Sequence, residues 1–214
     1  KHRSDRTQEC ERLAFLDEVD ILDTPPEQEY DAITRLAAAY FKTSNAFIGF
    51  IDATRLWIKS CCGANLHELP RENCILDFVL NQQSPLVLFD TAQHPDIYAR
   101  RACMPQIGSA FLAIAPIFIS GGVIIGVLAI SDSQPRAFFD ADSLDMLARL
   151  AGMVTAHIEL RRLRNADVTR IHTRHQAQCG ESTNWPGVEE LRRALEQHEF
   201  VLHYQPEVDL ESLK

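Results

Sequence analysis

The residues with the most chemical reach in this chain are its thiols, two histidines of one predicted helix and three loop arginines. Cysteines stand at positions 10, 61, 62, 74, 103 and 179. They follow no CxxC…CxxC spacing of the kind a zinc site uses, and the adjacent Cys61 and Cys62 are poorly placed to bond to each other. Cys61, Cys62, Cys74 and Cys103 fall in predicted loops or at strand ends, where they could approach one another. Thiolate chemistry would also need a cation to lower a thiol pKa, and nothing in the sequence requires one. Inert, reduced thiols are the plainer expectation. His172, His175 and Cys179 follow i, i+3, i+7 spacing, one face of a helix. A zinc ion would still need a fourth ligand or a partner chain, so solvated helix residues are the simpler reading. Arg55, Arg71 and Arg136 could clamp a phosphate or carboxylate, or tie loops together through Asp52, Asp90 or Asp132.

These residues sit in an acidic chain of 214 residues with 46% hydrophobic residues, enough to bury a core. The formal net charge of −9 gives no general attraction for a nucleic-acid backbone, and no nucleic-acid partner is expected. The longest apolar runs, Ala110 to Ile119 and Val123 to Ile130, have strand length and fall short of the roughly 18–20 residues of a membrane span. No signal peptide is evident, and reduced thiols fit a cytoplasmic location. The chain begins at Lys1 rather than Met and reads as an excised piece.

Periodicity supplies the elements that must hold these residues. Leu13, Leu16, Val19 and Leu22 mark an amphipathic helix from Glu9 to Leu22, stopped before Pro25 and Pro26. A second helix spans Tyr30 to Phe41. Two hairpins follow, Ala46–Ile51 with Leu56–Cys61 and Ala110–Ile119 with Val123–Ser131, the latter turned by Ser120, Gly121 and Gly122. Between them lie a short helix over Cys74–Asn81, a strand at Leu86–Phe89 and a polar loop from Asp90 to Met104. Asp140 is a fitting N-cap for a helix from Ala141 to about Gln178. The fold class is therefore α+β: an antiparallel sheet of five or six strands with helices packed on it, and a long C-terminal connector helix. On that helix Leu144, Leu147, Ala151, Val154 and Ile158 repeat at 3,4,3,4, the spacing of a two-helix seam and hence of a homodimer contact. The same stripe could instead pack on its own sheet. In the same register the seam turns polar with Arg161, Asn165 and His172, and Leu160–Cys179 carries five Arg against one Asp.

From Arg12 to about Arg164 the chain resembles a GAF domain of the bacterial signalling kind. The resemblance rests on Ile21-Leu-Asp-Thr-Pro-Pro26, Ile48-Gly-Phe-Ile-Asp52, Trp57-Ile-Lys59, Glu68-Leu-Pro-Arg71, Leu86-Val-Leu-Phe-Asp90, Gly126-Val-Leu-Ala-Ile-Ser-Asp132 and Pro135-Arg136, in order. It implies a sensory module over residues 9–160, usually dimeric, with a small-molecule pocket on one face of the sheet. By family position that pocket would be walled by Phe50, Trp57, Lys59, the Cys74–Phe78 segment (with Cys74, Leu76 and Phe78), Asp90, Phe111 and Ala113. Relatives often carry Ser-Phe-Cys-x-His where this chain has Cys74-Ile75-Leu76-Asp77-Phe78, and Phe-Tyr-x-Gly-x-Pro where it has Phe111-Leu112-Ala113-Ile114-Ala115-Pro116. Polar groups have given way to apolar ones, which leaves a filled pocket or an apolar ligand of unknown identity as the open readings. The signature of cyclic-nucleotide GAF domains is not evident, and no cofactor is assigned. Some GAF proteins reduce free methionine sulfoxide with paired cysteines, which makes a thiol enzyme one alternative function and a ligand-free dimerisation module the other.

After a connector and linker over residues 161–187, residues 188–214 resemble the opening of an EAL domain, the cyclic-di-GMP phosphodiesterase module, through a helix ending in Tyr204-Gln205-Pro206. Of the residues that contact substrate in that family only Gln205 is matched, and the Glu-Ala-Leu motif does not occur in the 214 residues. The later carboxylates that hold divalent magnesium or manganese are missing too, so this segment by itself is expected to hydrolyse nothing. The resemblance implies a sensor that controls a cyclic-di-GMP phosphodiesterase through a dimeric connector helix.

Overall fold

The computed structural model describes residues 2–71, 79–80, 83–95 and 110–180. Among the described residues three helices and six strands run α1 (His2–Val19), α2 (Gln28–Phe41), β1 (Asn45–Ile51), β2 (Arg55–Cys62), β3 (Glu68–Pro70), β4 (Leu86–Leu88), β5 (Phe111–Phe118), β6 (Ile124–Asp132) and α3 (Ala141–Gly180). The strands form one antiparallel sheet in the order β3-β2-β1-β6-β5-β4, so the α+β expectation holds. The chain divides into one compact unit over Lys1–Asp167 and a second over Val168–Lys214.

Alternation along each strand sorts the core into two layers. Ala46, Ile48, Phe50, Trp57, Phe111, Ala113, Ala115, Leu128 and Ile130 meet Phe15, Leu16 and Val19 of α1, Ile33 and Ala37 of α2, and Leu147, Ala151, Val154 and Ile158 of α3. The other face carries Phe47, Ile51, Leu56, Ile58, Leu112, Ile114, Val127 and Ala129, with Leu66, Leu69, Val79 and Leu88 against them. Every residue of β1 is buried, as expected of a strand covered on both faces.

Local chemistry sets the ends of the elements. Helix α1 stops at Val19, short of the expected Leu22, because Asp20 turns left-handed with φ 47°. Helix α2 ends at Lys42, also left-handed, whose N–H donates to the carbonyls of Ala38 and Ala39. Strand β3 was not legible in the sequence. It is three residues long and closes the sheet at Pro70, which an edge strand accommodates because one side has no partner. After β2, Gly63 (φ +92°) passes so near Ser44 that a Cβ would lie 1.9 Å from the Ser44 carbonyl oxygen.

Candidate functional site

The strand residues of the expected pocket wall share the face that the helices cover. The pleat sends Phe50, Trp57, Phe111 and Ala113 into the layer between sheet and helices. Phe50 packs edge-on to Tyr30 at 6.3 Å, and Phe111 lies 5.5 Å from Phe139 and 4.8 Å from the Arg136 guanidinium. Their strand neighbours Phe47, Ile51, Leu56, Ile58, Leu112 and Ile114 line the opposite face of the sheet and are themselves buried, packed against Leu66, Leu69, Val79 and Leu88. Asp90 caps a 3-10 turn, accepting from the Ala92 N–H at 3.0 Å and the Gln93 amide at 3.2 Å. Cys74, Leu76, Phe78 and Gln205 lie outside the described residues.

Lys59 has a different setting from the rest of that wall. Ile48 pairs with Ser60 and Gly49 with Ile58, which leaves Lys59 as the extra residue of a β-bulge. Alternation from Trp57 sends its side chain to the helix face, toward the α1–α2 loop, where it is fully buried, and the bulge brings Ser60 to the same face. Its ammonium donates to Thr24 Oγ1 and Pro25 O, both at 2.7 Å, and to Glu27 Oε1 at 2.5 Å, so its three hydrogens have three acceptors. It also stands 5.4 Å from the centroid of Tyr30 and 5.6 Å from that of Trp57. Burial lowers the Lys59 pKa, and the Glu27 carboxylate opposes that shift. Beside it Asp31 accepts from Ser60 Oγ at 2.6 Å, and Ser60 is 2.8 Å from Thr34 Oγ1. These groups border a concavity of about 450 Å³ that Asp23, Trp57, Leu66 and His67 also line. The bulge gave no sequence signal, since a single lysine within an apolar strand has the same pattern on either side of a register shift.

The three arginines tie the fold together. Arg55 spans Asp52, Glu68 and Asp23 at 2.8, 2.6 and 2.6 Å. Arg71 grips both carboxylate oxygens of Glu9, at 2.6 and 2.7 Å, and donates to Asp52 O. Arg136 caps α2 through the carbonyls of Phe41 and Lys42 at 2.8 and 2.7 Å. Burial works against the Asp132 carboxylate, but hydrogen bonds from Ser44 and Arg136 outweigh it and hold its pKa below the ordinary value. Cys10 is exposed, and Cys61 and Cys62 are half-buried free thiols. Burial pushes the Cys61 thiol up, the opposite of what a nucleophile needs. Cys74, Cys103 and the side chains of His172, His175 and Cys179 lie outside the described residues. Among the described residues no three His, Cys, Asp or Glu gather as metal ligands, and no helix is long and apolar enough to cross a membrane.

Helix α3 lays the residues of the expected seam on the domain's own core. Leu147, Ala151, Val154 and Ile158 are buried against the domain's own sheet and helices, with Leu144 half-buried beside them. The spacing of that stripe is equally that of a helix lying on its own core. The outward side of α3 instead shows Met153, Ala156, Leu160 and Leu163, with Met153, Leu160 and Leu163 at 44%, 51% and 63% exposure. On α2, Leu36 and Tyr40 are exposed as well. Toward α1, Arg161 donates from Nε to Val19 O at 2.8 Å and from Nη2 to Asp20 O at 2.6 Å, while Asn165 donates to Val19 O at 3.0 Å. Arg161 Nη1 completes an ion pair with Glu27 Oε1 at 2.9 Å.

Tyr30 lies between α3 and Lys59, and burial, with Glu27 and Glu29 adding to it, pushes its phenol up to about 12. A phenol whose folded pKa exceeds its unfolded value contributes stability below about pH 10 and loses it as pH rises through about 12. Between pH 9 and 12 the wild type should therefore lose about 2–3 kcal/mol more than Tyr30→Phe, as urea unfolding at each pH would record.

The GAF domain family model matches residues 23–159. Over 157 residues the chain is 24% identical to a cyclic di-GMP phosphodiesterase of Pseudomonas aeruginosa, an alignment that covers 73% of this chain and 27% of that relative. The chain thus spans about a quarter of the relative's length. Among solved structures it is similar to the GAF domain of an Acinetobacter phosphoenolpyruvate-protein phosphotransferase, with TM-score 0.54, 16% identity and coverage of 70% of this chain and 92% of that one. It is similar too to a free methionine-R-sulfoxide reductase from Neisseria meningitidis solved with its substrate, with TM-score 0.53, 19% identity and coverage of 70% and 89%. At these identities the structural likeness is one of fold. The family match spans all six strands, α2 and the first half of α3, and the chain belongs to the GAF domain family.

Proposed function

We propose that residues 9–160 form a regulatory module that acts through α3 on a cyclic-di-GMP phosphodiesterase module beginning near residue 188, with residues 161–187 as connector and linker. The observation that carries this reading is the outward stripe of α3. Met153, Ala156, Leu160 and Leu163 step by 3, 4 and 3 along a helix whose inner side is already used by the core. Water-exposed apolar residues at heptad spacing are stabilised by a like stripe, and a second copy of this chain offers one. The Pseudomonas relative supports the link to cyclic-di-GMP, and the Tyr204-Gln205-Pro206 segment supports the identity of the following module. The apolar sheet face suits an apolar effector or none; the raised Cys61 pKa disfavours thiol catalysis.

The test is cyclic-di-GMP hydrolysis by the full-length protein that carries this segment, as wild type and with Leu160→Asp and Leu163→Asp together. Loss of the α3 pairing is expected to change kcat by about tenfold or more, with the domain still folded. Equal turnover in the two proteins would exclude control through α3.

A further inference from the structure

We infer that Glu27 couples the sheet to the connector helix, because a single carboxylate oxygen joins the buried Lys59 of β2 to Arg161 of α3. Glu27 Oε1 lies 2.5 Å from Lys59 Nζ and 2.9 Å from Arg161 Nη1. Glu27 stands at the N-cap of α2, yet its side chain makes no capping hydrogen bond there. A residue that leaves its own helix end uncapped to bridge two cations is held by those cations rather than by the helix.

The segment between the two cations is clamped at both ends. Arg161 and Asn165 hold the carbonyls of Val19 and Asp20 where α1 ends. Lys59 holds Thr24 and Pro25. Asp20 and Asp23 take left-handed φ values of 47° and 57°, and Pro25 and Pro26 stiffen the chain that follows. A movement of the bulge that carries Lys59 therefore cannot be absorbed within a slack loop. It must either break charge-assisted bonds to Glu27 or draw Arg161, and with it α3 near residue 161, along. The concavity of about 450 Å³ beside Lys59 and Asp31 gives that end of the path access to solvent. For its purpose this coupling rests on the regulatory reading of α3. Its test is made on the 214-residue chain alone, so it can fail while control of hydrolysis stands, and the reverse.

Amide hydrogen exchange reads the coupling directly. In Glu27→Gln, amides over 157–166 of α3 are expected to exchange about tenfold faster than in the wild type, while those of β6 stay at the wild-type rate. Coupling is reciprocal, so Arg161→Gln should speed exchange around Lys59 in β2 by a similar factor, an effect that a purely local cap at α1 would not produce. The double variant should exchange no faster at either place than the faster single variant, because both changes cut the same link. The inference would be overturned by wild-type exchange over 157–166 in Glu27→Gln, by an unmoved β2 in Arg161→Gln, or by effects that multiply in the double variant. Acceleration that includes β6 would overturn it too, since it would reduce Glu27 to a contributor to global stability.

Discussion

Phe50→Ala is expected to lower the unfolding free energy by about 4 kcal/mol, read from urea unfolding, because it deletes a ring at the centre of the layer between sheet and helices. Phe50 is fully buried, and it touches Tyr30 of α2 within the same cluster as Val154 and Ile158 of α3. The ring has no water on any side, so its removal leaves a cavity as well as lost transfer energy. The experiment separates two placements of the same side chain. A loss below about 1 kcal/mol would return Phe50 to the wall of an open ligand cavity, where truncation costs little packing.

Val154→Asp carries the second large effect. Val154 is fully buried where α3 crosses the sheet, in a cluster made of apolar side chains. A carboxylate placed there has no cation within the cluster, and the penalty of an unpaired buried charge is on the order of a domain's whole stability. The variant is therefore expected to show no cooperative unfolding transition and no native near-ultraviolet circular dichroism. A folded, monomeric Val154→Asp protein would restore Leu144–Ile158 as a seam between two chains.

Both predictions turn on what spacing can convey. The hairpins, the first two helices and the start of α3 were legible because they rest on one periodicity each, closed by a turn or a cap. Which face of the sheet is which was not legible. Along β1 and β5 both parities are apolar, with Phe47 and Ile51 against Ile48 and Phe50, and Leu112 and Ile114 against Phe111 and Ala113. Alternation then says that neighbours part, and not which of them meets the helices. The stripe on α3 announces its register but not its partner. Steps of three and four mark a buried helix face, whether sheet or second helix covers it. The coupling of Lys59, Glu27 and Arg161 joins positions 32 and 134 residues apart in sequence, so no local pattern announces it.

The claim that α3 presents a pairing surface to a second copy is tested most directly by sedimentation velocity. The 214-residue chain is expected to sediment as a dimer. Leu160→Asp and Leu163→Asp together are expected to give a monomer that keeps a cooperative unfolding transition and native near-ultraviolet circular dichroism, since both side chains face water in the single domain. A wild-type monomer, or a dimer that survives both substitutions, would contradict it.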